Sequence, residues 1–185
     1  MMPAAAAYEF DRALLNGSGV GEPTGALNAP SAVTVNRGTA GKIAYRDLTA
    51  MYSRLHPGFV RGAAWFASPS AFGALLEIRD DAGAFIWQGT PAAADVAMSL
   101  FGRPVFVTDA AAALGTRGDV VLADFAAYAV AVKSGVVLER TEAARWNEDI
   151  YSFRAILRAD GAALLDRPIA PANGDTSLSW CVVLS

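Results

Sequence analysis

Ala63-Ala64-Trp65-Phe66-Ala67-Ser68-Pro69-Ser70 joins two kinds of local order within eight residues. The run Ala63 to Ala67 is apolar and short, which fits a strand. Ser68 then offers an N-cap, and Pro69 stands at the first helical position, where its missing N–H costs nothing. A helix from Pro69 to about Ile78 follows. Upstream, Tyr45, Leu48, Met51, Tyr52 and Leu55 recur at three- and four-residue spacing, the pattern of one helical face between Ala44 and Leu55, and Pro57-Gly58 ends it. A β-leaning piece precedes it around Val33 to Val35. Further back, Gly17 to Gly25 is a glycine-rich irregular surface loop with Pro23 inside it. Tyr8 to Leu15 reads as the last turns of a helix that stops at Asn16-Gly17, where φ can turn positive.

Downstream, Asp80 to Gly83 is a turn signal, Phe85 to Trp87 a strand candidate, and Gly89 to Ala93 a second break. Beyond Gly102 come short β-branched runs at Val105 to Thr108, Val120 to Ala123, Tyr128 to Val132 and Val136 to Glu139. Lys133-Ser134-Gly135 separates the last two closely enough for a hairpin. Phe153, Ala155, Leu157 and Ala159 alternate along a strand, Asp160-Gly161 is a turn, and Leu178 to Leu184 is a final strand. The class is α+β, with a sheet flanked by helices.

The 185 residues suit one domain, or one with a small annex. A net charge of −3 with only two lysines, Lys42 and Lys133, leaves no basic stripe to neutralise phosphates, so duplex DNA should bind weakly and without sequence preference. The single cysteine, Cys181, excludes an internal disulfide and sits in the apolar run Trp180 to Leu184 as a core hydrophobe. No positively charged n-region opens the chain, and the longest charge-free stretch, Gly62 to Leu76, falls short of a membrane span.

Catalytic groups are sparse. His56 is the sole histidine, and a nucleophile triad or a zinc site would have to be built on it alone. Gly17-Ser18-Gly19-Val20-Gly21-Glu22 lacks the third glycine of a dinucleotide fingerprint, and Gly38-Thr39-Ala40-Gly41-Lys42-Ile43 has Ile43 where a P-loop needs a hydroxyl. Both are turn chemistry. The acid pairs Asp80-Asp81 and Glu148-Asp149 are turn or solvated-loop acids; paired in a pocket, they would instead suit a small hydrolase or binding domain. No catalytic residue, cofactor, metal or small-molecule substrate is expected. Among the four tryptophans, Trp65 and Trp180 lie in strand-like runs and belong to the core, whereas Trp87 and Trp146 sit beside polar loops, where aromatic residues serve subunit contacts.

Several blocks, in order, resemble major capsid proteins of tailed bacteriophages of the Hong Kong 97 type. They are Phe10 to Gly19 with Pro23 to Asn28, Trp65 to Ser70, Gly102 to Thr108, Gly118 to Phe125, Phe153-Arg154-Ala155, Arg158 to Gly161 and Pro171 to Thr176. The resemblance runs from about Tyr8 to Ser185. It implies the remnant of a spine helix and a glycine loop of a peripheral domain at 1–30, an axial domain at 31–150, and strands returning to the peripheral domain at 151–185. It implies a structural, non-enzymatic subunit that forms pentamers and hexamers with copies of itself, located in the virion and in the bacterial host cytoplasm during assembly. An encapsulin-like compartment or a gene-transfer particle would share the fold. The family's longer N-terminal half has no counterpart in these blocks, so the resemblance implies a truncated chain that folds without closing shells alone. Some members crosslink a lysine to an asparagine with help from a glutamate; Asp149 and Ile156 stand at the latter two positions, and the crosslink should be absent. The family's axis loop corresponds to Asp81 to Asp95, which places Phe85, Ile86 and Trp87 at a projecting tip that meets copies of itself. Trp146 is the fourth expected contact residue.

Overall fold

A computed structural model of the chain describes residues 2–79, 83–85, 98–141, 147–148 and 151–185. In chain order the elements are α1 (Met2–Asn16), β1 (Val33–Val35), α2 (Tyr45–Ser53), β2 (Ala64–Ala67), α3 (Pro69–Leu76), β3 (Ser99–Leu100), β4 (Arg103–Val107), β5 (Val120–Ala123), β6 (Tyr128–Thr141), β7 (Ser152–Ala163) and β8 (Cys181–Leu184). Six of the strands form one mixed sheet in the order β1-β8-β5-β2-β4-β3, and β6 pairs with β7 in a separate two-stranded ribbon. Within the sheet β1–β8 and β2–β4 are parallel, and β5 runs antiparallel to both β2 and β8.

The central strands β5 and β8 are buried at every position, which is why Val120-Val121-Leu122-Ala123 and Cys181-Val182-Val183-Leu184 read as unbroken apolar runs and not as alternation. On one face Trp65, Leu122 and Val182 pack under Leu48 and Met51 of α2 and Leu75 of α3. On the other, Val121, Cys181 and Val183 meet Ala26, Leu27, Tyr128 and Trp180. Both core tryptophans satisfy their indole N–H: Trp65 Nε1 donates to the Leu100 carbonyl at 3.0 Å, and Trp180 Nε1 to Ser31 Oγ at 2.8 Å. Burial pushes the Cys181 thiol up to about 12, which leaves it an inert core group. Ser68 caps α3 as expected, its Oγ accepting from the Ala71 N–H at 3.2 Å with Pro69 following.

Three expectations change. Helix α1 ends at Asn16, but Gly17 does not take positive φ. Glycine is required there by close approach, since a Cβ would stand 2.1 Å from the Pro23 carbonyl oxygen. Lys133-Ser134-Gly135 is no hairpin turn, because β6 runs through it as one strand of 14 residues, and the irregularity appears as register shifts between Val132 and Ser134 and between Ser134 and Val137. Asp160-Gly161 likewise lies inside β7, opposite Ala131 and Val130. The Tyr128 ring covers Gly161 so closely that a Cβ would come within 2.7 Å of it.

Candidate assembly surface

Directly paired residues of an antiparallel ribbon share a face, and the register of β6 against β7 sorts its side chains into two sets. One face holds Val130 with Gly161, Val132 with Ala159, Leu138 with Ala155 and Arg140 with Phe153. The other holds Ala131 with Asp160, Ser134 with Arg158, Val137 with Ile156 and Glu139 with Arg154, whose guanidinium reaches the Glu139 carboxylate at 2.5 Å. The ribbon is thus amphipathic. Its apolar face is open: Val132, Leu138 and Phe153 are 53%, 54% and 61% exposed. At about 3.3 Å per residue, the 14 residues of β6 reach on the order of 45 Å. Its base is tied to the body through Tyr128 Oη donating to the Thr24 carbonyl at 2.7 Å and the Thr24 N–H donating to the Gly161 carbonyl at 2.9 Å. An isolated two-stranded ribbon is marginal in water, so an exposed one with an apolar face calls for a partner.

A second apolar surface lies beside α1. Phe66 and Phe106, paired across β2 and β4, stack with centroids 5.7 Å apart, and Phe125 stands edge-on to Phe66 at 5.3 Å. With Leu14, Asp11 and Thr108 they line a cleft of about 340 Å³. Asp109 lies between lining residues and accepts from Tyr8 Oη at 3.0 Å, which raises the tyrosine pKa.

Of the residues singled out from sequence, Phe85 is 44% exposed and lies under the Arg79 guanidinium, 3.7 Å from the ring centroid. Arg79 also donates to the Gly83 carbonyl at 2.9 Å and forms an isolated antiparallel bridge with Phe85. Ile86, Trp87 and Trp146 lie outside the described residues, as do Asp80, Asp81 and Asp149. Ile156 is in β7, opposite Val137. His56 Nδ1 accepts from the Gly58 N–H at 3.1 Å and caps a short 3₁₀ turn. In the glycine loop the Glu22 carboxylate accepts from the Ser18 N–H at 2.8 Å and from Ser18 Oγ at 2.9 Å, and these bonds hold its pKa below the ordinary value. Both donors of Ser18 are therefore taken by the loop's own acid. Asp47 does the same for the second glycine loop, accepting from Gly38 N–H and Ala44 N–H at 2.9 Å.

The sequence reading missed one buried charge pair. Asp119, fully buried, takes a bidentate contact from Arg37, 3.0 Å on each branch, and a third hydrogen bond from the Gly115 N–H at 2.8 Å. It fixes the loop before β5 to the end of β1, which is a structural role. Among the described residues there is no cluster of three metal-ligating side chains, and no helix is long and apolar enough to cross a membrane.

The described residues thus form an α+β body with a six-stranded mixed sheet and a separate two-stranded ribbon. A GTA capsid chain, from an empty particle computed with C5 symmetry, superposes with a TM-score of 0.75 at 20% identity, over 99% of this chain and 63% of that one. The capsid chain of the native GTA particle gives 0.76 at 20% identity, over 99% and 62%. A chain of Gordonia phage Cozz gives 0.66 at 14% identity, over 98% and 60%. This chain therefore spans about three-fifths of the length of those solved chains. No curated protein matches it. The profile of the Phage capsid family matches residues 1–174, and the chain belongs to that family. Its family and fold are those of structural proteins, as the sequence blocks implied.

Proposed function

We propose that the chain is a subunit of a phage-type capsid shell that associates with copies of itself around rotation axes and performs no catalysis. The open apolar face of the β6–β7 ribbon carries this reading. A monomer gains nothing from holding Val132, Leu138 and Phe153 in water, whereas a neighbouring subunit laid on that face removes them from it. The half-exposed Phe85, with Ile86, Trp87 and Trp146, is retained in the proposal as a second contact, at the axis. The same reading assigns 31–150 to the axial part and 1–30 with 151–185 to the peripheral part. That division has to accommodate β8, which lies inside the six-stranded sheet between β1 and β5. The location would be the virion, and the host cytoplasm before assembly. Electron microscopy of the purified chain at high concentration tests the proposal. Rings or shell fragments with five- or sixfold order are expected, and a field of single subunits at every concentration would overturn it.

A second reading, a shell subunit of a GTA-like particle, is favoured by the better superposition on the two GTA capsid chains than on the phage chain. The genes adjoining this one distinguish the two readings.

A further inference from the structure

The β6–β7 ribbon carries two cations with no hydrogen-bond or ion-pair partner among the described residues, Lys133 at the irregularity after Val132 and Arg158 opposite Ser134. They border one shallow depression of the β6–β7 surface. Their neighbour Asp160 turns its carboxylate to the Gly161 N–H at 2.8 Å and pairs with neither. The aromatic cleft has the opposite character. Phe66, Phe106 and Phe125 line it together with one carboxylate, Asp11, which has no partner among the described residues; a second, Asp109, lies in sequence between the lining residues Thr108 and Ala110 and accepts from the neutral Tyr8 hydroxyl. The nearest cation in sequence, Arg12, is committed to Glu9 at 2.6 Å.

We infer that these two surfaces recognise each other between copies of the chain: Lys133 and Arg158 of one copy enter the acid-bearing aromatic cleft of the next. The inference rests on the shell-subunit reading and specifies one contact within it. The chemistry matches on both counts. Long basic side chains can lay their alkyl stems on apolar surface while their heads reach carboxylates, and a cation near a phenyl face gains from the ring quadrupole. The cleft's volume of about 340 Å³ is at the bottom of the range for ligand pockets, about 300–1,000 Å³, which suits inserted side chains better than a drug-sized molecule. Because the two patches differ, the contact is head-to-tail, the type that closes a ring when the rotation between copies divides a full turn. Charges at such a contact also make association weaken as salt rises.

The test uses complementary charge reversals on the full chain. One variant carries Lys133→Glu and Arg158→Glu, the other Asp11→Lys and Asp109→Lys; Asp11→Lys alone is a control that leaves the Tyr8–Asp109 hydrogen bond in place. Circular dichroism confirms folding, and fluorescence anisotropy of labelled chains reads association. Each double variant should self-associate at least about tenfold more weakly than the unmodified chain, with Asp11→Lys alone weakened in the same direction, and a mixture of the two double variants should recover the lost affinity. Variants that associate like the unmodified chain, or a mixture that associates no better than its components, would overturn this contact and leave the shell reading standing. An unmodified chain that stays monomeric up to on the order of 100 μM would overturn both.

Discussion

Asp119 shows how a single residue holds three parts of the chain together. Its carboxylate joins Arg37 after β1 to Gly115 in the loop before β5, and its carbonyl accepts from the Ser68 N–H at 3.1 Å, at the start of α3. Removing one member of a buried ion pair leaves the other charge without compensation, which typically costs about 3–5 kcal/mol. Asp119→Ala should therefore lower stability by about that amount in urea denaturation, and a loss below about 1 kcal/mol would show that the pair is not buried in solution. Sequence inspection placed Asp119 beside a strand but gave no sign of its burial, because the partner lies 82 residues away. Gly17 was legible as a helix stop, though its cause was not. The carbonyl that excludes a side chain there belongs to Pro23, on the returning limb of the loop.

At the scale of elements, local signals read well wherever they act within a few residues. The cap at Ser68-Pro69, the apolar spacing from Tyr45 to Leu55 and the buried runs of β5 and β8 were all visible. The ribbon was visible only in part. Alternation in Phe153 to Ala159 identified a strand, but Lys133-Ser134-Gly135 and Asp160-Gly161 carry the residues of turns and act as a bulged stretch and a strand interior. What decides between these uses is the cross-strand partner, Arg158 for Ser134 and Val130 for Gly161, and no window of sequence contains both. The exposure of the ribbon supplies a prediction at this scale. Leu138→Ser with Phe153→Ser should leave the stability of the monomer within about 0.5 kcal/mol, as at exposed sites generally, and should reduce self-association measured by light scattering. A loss of several kcal/mol would mean that the face is packed against the chain's own body.

Across the whole molecule, the fold was legible from the order of its blocks more than from any one of them. The body they describe superposes on solved shell proteins at 20% identity or less. The surfaces that would serve assembly were harder to see. Val132, Leu138 and Phe153 look like ordinary strand residues in sequence, and only the register shows that they share a face left open. The cleft at Phe66, Phe106 and Phe125 draws, with α1, on four separated segments and had no local signature at all. Both surfaces matter only if copies of the chain meet about an axis, which is the central claim. Native mass spectrometry of the purified 19.3 kDa chain over a concentration series tests it most directly. Discrete species of five or six copies that grow with concentration and fade with added salt are expected; a spectrum holding the single-chain mass alone at every concentration would contradict that claim.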